Sequence, residues 1–110
     1  MKTPKQIAED YGALFMPVGL NEKCGVALHT LALRPLNALR HPPNECASGW
    51  YIWGGEHFSE APDFFKPLHV LHLADYCSEI IPYLALGSGW RVLLAPNYED
   101  VWFDEKLILV

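Results

Sequence analysis

Positive charge is scarce in this chain: eight Lys and Arg stand against thirteen Asp and Glu, for a net charge of −5. That balance argues against a nucleic-acid binder relying on phosphate neutralisation. Charged residues of both signs make up only 19% of the sequence while apolar ones reach 51%, which argues against intrinsic disorder, collagen and a coiled coil. Long apolar runs are missing as well. No uncharged apolar stretch approaches the length of about 18 residues that a membrane-spanning helix needs. Behind Lys2 and Lys5, the segment Ile7-Ala8-Glu9-Asp10 breaks any signal-peptide core. Cysteine is sparse: Cys24, Cys46 and Cys77 are odd in number and widely spaced, which fits a reducing compartment better than a disulfide framework. A cytoplasmic protein is expected.

What is present is enough apolar material for a small core. With 110 residues the expectation is one domain, residues 1–110, that folds without metal or disulfide staples. Thr3 to Phe15 reads as a helix, with Thr3 able to cap, Pro4 suited to the first turn, and Ile7, Tyr11, Leu14 and Phe15 at helical spacing. Gly25 to Leu33 is a short apolar run assigned to a strand, and Pro35, Pro42, Pro43 and Asn44 mark a long connection without a long regular element. Ser48 to Trp53 is a strand by its aromatic and β-branched content, ended by Gly54-Gly55. Pro67 to Tyr76 reads as a helix, and Ser78 as the cap of a further short turn that Pro82 limits. Gly89 to Ala95 is a second strand, turned at Pro96-Asn97 and paired back by Asp100 to Asp104; Leu107 to Val110 ends that strand or adds one. The sum is an α+β fold, a small mainly antiparallel sheet with two or three helices packed on it. Ser48-Gly49-Trp50 returns as Ser88-Gly89-Trp90 at the start of the second strand.

Catalytic and metal signatures are weak. His69 and His72, three apart, with Asp75 continuing the series, would share a helix face, and Glu56, His57 or Cys77 would have to complete a zinc shell. The plainer reading is two partly buried, hydrogen-bonded histidines. Ser88 lacks the G-x-S-x-G spacing, and the His41/Cys46 and His72/Cys77 pairs fall outside helical register. Gly54-Gly55 stands alone without a phosphate loop around it, and Glu99-Asp100 suits a solvated turn better than acid–base work. No catalytic residue, metal or cofactor is expected.

Charge is unevenly placed. Residues 1–55 carry a net +1 and residues 56–110 a net −6. In the acidic half, Tyr98 to Glu105 interleaves aromatics with carboxylates. Strand alternation sends Val101 and Phe103 one way and Asp100, Trp102 and Asp104 the other. If the first pair is buried, Trp102 stands exposed between two acids, the make-up of a protein interface; otherwise the helix or Trp90 covers it. The same alternation separates Trp50 and Ile52 from Tyr51 and Trp53, and four Trp are many for so small a core to bury. The candidate partner surface is therefore Trp50, Trp53, Glu56, Glu99, Asp100, Trp102 and Asp104.

Ser88-Gly89-Trp90-Arg91 followed by Glu99-Asp100 resembles the signature of a small bacterial immunity domain, the thirty-third class of the Imm series. Leu39 to Pro43, Ser48 to Glu56 and Asp63 to His69 are similar to an extended branch of it. Gly87 stands where that family's core usually has an acid. The resemblance covers about residues 39 to 107 and implies a cytoplasmic, non-enzymatic protein that binds and neutralises a cognate toxin. An acidic surface would suit a basic toxin. The alternatives from the residues themselves are a metal-dependent or hydrolytic module centred on His69 and His72, and a regulatory subunit, a homodimer through exposed aromatics among its forms.

Overall fold

The computed structural model describes residues 2–45, 47–57, 59, 61 and 63–108. Its first element, the helix α1 (Pro4–Tyr11), begins where Thr3 closes a capping box: the Thr3 hydroxyl accepts the Gln6 N–H at 3.2 Å, and the Thr3 N–H donates to Gln6 Oε1 at 2.8 Å. Gly12, at φ 69°, ends the helix short of the expected Phe15, which instead bridges to Leu86.

Among the described residues six strands follow: β1 (Lys23–Val26), β2 (Leu36–Arg40), β3 (Ala47–Gly54), β4 (Lys66–His69), β5 (Trp90–Ala95) and β6 (Tyr98–Phe103). They form one sheet in the order β4-β1-β3-β2-β5-β6. β1 and β3 run parallel, and every other neighbouring pair is antiparallel. The expected α+β class and the antiparallel bias hold, with one parallel pair added. Short 3-10 helices at Leu28–Thr30, Val70–Asp75, Ser78–Tyr83 and Glu105–Leu107 fill the connections.

Three expectations are corrected. The run from Gly25 to Leu33 is a strand only as far as Val26 and then turns into a 3-10 helix. The connection from Pro35 to Asn44 contains β2, which lies inside the sheet between β3 and β5. The helix expected over Pro67–Tyr76 is β4 followed by 3-10 helix, because Lys66 to His69 pairs along β1; Pro67 is tolerated there since β4 is an edge strand.

Each face of the sheet carries a cluster of buried side chains. On one, Ile7 and Ala8 of α1 with Val70, Leu73, Ile80 and Tyr83 of the 3-10 helices pack against Leu36, Ala38, Trp50, Ile52, Val92 and Val101. On the other, Ala27, Leu39, Trp53, Phe64 and Leu107 form a smaller cluster joined by Phe65. At the end of β2 the first face takes in Arg40. Its Nε donates to Ser48 O at 2.9 Å, its Nη1 to Met16 O at 2.6 Å and Leu86 O at 2.8 Å, and its guanidinium carbon lies 5.6 Å from the centre of a Trp50 ring. Burial lowers the Arg40 pKa from its ordinary value, with Glu22 acting the other way.

Candidate functional site

The acidic segment predicted from the sequence forms the outer strand of a hairpin. Pro96-Asn97 makes a two-residue turn with Asn97 at φ 58°, which closes Ala95 on Tyr98 and sets six successive pairs from Ala95–Tyr98 to Trp90–Phe103. Pleating then divides β6. Glu99, Val101 and Phe103 belong to the face that carries α1, while Tyr98, Asp100 and Trp102 belong to the opposite face.

On that opposite face, Trp102 is 36% exposed. Its register partner Arg91 places a guanidinium carbon 5.6 Å from the indole ring centre and donates from Nη1 to Asp104 Oδ2 at 3.0 Å. The hydrogen bond from Arg91, and after it one from the Lys106 N–H, hold the Asp104 carboxyl below the usual range. Asp104 is therefore half of an ion pair that props the tryptophan, whereas the neighbouring Asp100 is exposed with no ion pair among the described residues.

On the α1 side, Glu99 is oriented by two phenols. The Tyr11 O–H donates to Oε2, and the Tyr83 O–H donates to Oε1 at 2.5 Å. These two bonds hold the Glu99 carboxyl below its ordinary pKa. The reciprocal effect, with burial, pushes Tyr11 up to about 12; burial first and the same carboxylate second raise Tyr83. Both donors are neutral, so the carboxylate keeps its charge. No ion pair reaches it among the described residues. It stands between two open clefts of about 620 and 640 Å³ that share Glu79, Tyr83 and Glu99 as lining.

The predicted contact residues separate into groups. Glu99, Asp100, Trp102 and Asp104 lie together along β6. Glu56 is exposed just past β3, at the same end of the sheet as the hairpin turn, but β2 and β5 stand between, a separation of roughly 14 Å at ordinary strand spacing. Trp50 and Trp53 do not belong to any surface. Trp50 is 1% exposed, with its Nε1–H donated to Leu84 O at 3.0 Å, and Trp53 lies in the opposite cluster beside Phe65. Their expected exposure fails because the two clusters cover β3 at these positions; the exposed ring of that strand is Tyr51, at 37%. Three contributors went unpredicted: Arg91, Tyr11 and Tyr83. Arg91 was within reach, because counting back from Pro96-Asn97 sets it opposite Trp102; the two tyrosines come from distant segments, and only Tyr11's helical spacing hinted at its side.

The histidine pair does not have the arrangement its spacing predicted. His69 ends β4 and His72 lies in the following 3-10 helix, so they share no helix face; their ring centres are 6.3 Å apart, and both are exposed rather than partly buried. Among the described residues no group of three His, Cys, Asp or Glu is placed to hold a metal. Cys46 lies outside the described residues, and burial pushes the Cys24 and Cys77 thiols up to about 12 and 11, away from thiolate chemistry. No helix among the described residues is long and apolar enough to cross a membrane.

Residues 3–104 match the family model described as the Imm33-like domain. No curated protein and no solved structure matches the chain.

Proposed function

The chain belongs to the Imm33-like domain family, an immunity-type family, and from that membership we propose that it binds a cognate bacterial toxin and neutralises it by occupying its surface. It acts by being held, without turnover or cofactor, in the cytoplasm of the cell it protects. The contact surface is β6: Trp102 as the aromatic anchor, Asp100 and Glu99 as free negative charge, and Asp104 as the residue that fixes Arg91 under the indole. The single observation that carries this reading is a partly open tryptophan held in one orientation by an ion pair and bordered by carboxylates. Interfaces place their binding energy in such anchors and their association rate in such charges. Glu56 lies at the rim of the same sheet end, and the −6 charge of residues 56–110 favours a basic toxin.

The test is co-expression. The chain should relieve the growth arrest caused by its toxin, and Trp102→Ala should weaken binding to that toxin by about 30-fold or more, the loss typical of an anchor residue. Asp100→Lys should slow association several-fold at low salt and much less at high salt. Wild-type affinity in both variants, or binding indifferent to salt, would remove β6 from the contact surface.

A further inference from the structure

The two edges of the sheet are built differently. β4 is four residues long, lacks the Pro67 N–H, and turns at once into 3-10 helix, so it offers little to a further strand. β6 has six residues, no proline, and an unbroken register with β5 over its whole length. Tyr98 faces Ala95 across a two-residue turn and is therefore in a hydrogen-bonded pair; alternation assigns Asp100 and Trp102 to the same class, and the Asp104 N–H continues the series by donating to Gly89 O at 2.7 Å. The backbone N–H and C=O groups of Glu99, Val101 and Phe103 consequently point out of the sheet.

We infer that β6 accepts an added strand, an extended cationic segment of the toxin, whose backbone pairs with Glu99, Val101 and Phe103. This rests on the proposed immunity function and names how the partner is held. Charge selects the occupant. Residues 98–105 contain four carboxylates and no Lys or Arg. A second copy of β6 laid along this edge would bring four further carboxylates to it, whereas a strand with Lys or Arg at alternate positions would set its cations on one face, against Glu99 or against Asp100 according to its register. Exposed rings wait on both faces to cover such a strand: Trp102 and Tyr98 on one, and Phe103, 48% exposed, on the other. Backbone pairing supplies affinity that side-chain substitution cannot remove, and the flanking rings and charges supply choice of partner.

The probe is a synthetic peptide alternating lysine with threonine and valine over the length of β6, added to the full chain and followed by amide hydrogen exchange. Exchange at Glu99, Val101 and Phe103 should slow at least tenfold, while the same peptide N-methylated at alternate residues should leave it unchanged. Equal effects of both peptides, or none of either, would overturn strand addition, and concentration-dependent protection of the three amides in the chain alone would assign the edge to self-association instead. A second comparison uses the toxin: Phe103→Pro deletes one outward donor, and Phe103→Ala deletes the ring but keeps that donor. The proline variant should bind at least tenfold more weakly than the alanine variant, with thermal unfolding confirming that both fold. If Trp102→Ala abolishes binding while the two Phe103 variants bind alike, the surface stands and strand pairing falls. If none of the three changes binding, both fall.

Discussion

Replacing Arg40 separates a structural cation from a functional one. Its guanidinium reaches three stretches of chain at once, Met16, Ser48 and Leu84–Leu86, and shares the Leu84 carbonyl with the Trp50 indole. Arg40→Met keeps most of the volume and leaves these acceptors without their charged donor. Orphaned buried acceptors of this kind cost about 2–3 kcal/mol together. Arg40→Ala adds the incompletely collapsed void, about 1–2 kcal/mol more, for a total of about 3–5 kcal/mol. With a urea dependence of about 2 kcal/mol per molar for a chain of this size, Arg40→Met should lower the unfolding midpoint by roughly 1–1.5 M and Arg40→Ala by roughly 2 M. Arg40→Lys should fall near Arg40→Met, since one ammonium cannot span all three stretches. Midpoints within about 0.3 M of wild type, combined with lost toxin binding, would refute the reasoning and make Arg40 a contact residue.

The two positive-φ glycines of the repeated tripeptide should differ in cost. Both sit at φ 93°, but a Cβ at Gly49 would come within 2.0 Å of the His41 carbonyl oxygen, whereas at Gly89 it would meet the exposed Phe103 ring at 2.5 Å. Gly49→Ala should therefore cost upwards of about 3 kcal/mol and Gly89→Ala about 1–3 kcal/mol, since a ring can swing aside and a strand backbone cannot; thermal melts showing equal costs or the reverse order would refute this. The Glu99 bonds predict a pH window. A carboxyl held below its ordinary value of about 4.3 contributes fully above that pH and loses its contribution as the pH falls through the lower folded value. The Tyr11 phenol, pushed up to about 12, contributes fully below about 10 and loses its part as the pH rises toward 12. Tyr11→Phe and Glu99→Gln should flatten both limbs of the stability–pH curve, and unchanged limbs would show that the carboxylate and the phenols do not interact in solution.

Sequence reasoning reached the strands whose signals are local. Trp90 to Ala95, Pro96-Asn97 and Tyr98 to Phe103 carry strand-forming side chains and turn chemistry side by side, and β3 has the same advantage. β2 was hidden because Leu36-Asn37-Ala38-Leu39-Arg40 is bracketed by prolines and places a charged residue where the pattern asks for an apolar one. Only the fold supplies the carbonyls that make Arg40 a core residue. Pro67 misled for a different reason: a missing N–H suits the first turn of a helix and the outside of an edge strand equally well. In the candidate site the carboxylates and Trp102 could be read from alternation. Their supports could not, since Tyr11 and Tyr83 meet Glu99 from 88 and 16 residues away.

The echoed Ser-Gly-Trp turns out to be a clasp around a single strand end. The His41 N–H donates to Gly49 O from one side, and the Gly89 N–H donates to Arg40 O from the other. A slide of β2 by one residue would swing Arg40 to the far side of the sheet, away from every carbonyl that solvates it, and would break both halves of the clasp together. The hairpin that carries Trp102 is anchored to this same strand. Its outward edge is thus presented at a fixed height relative to the rest of the molecule, like a rail bolted at one end.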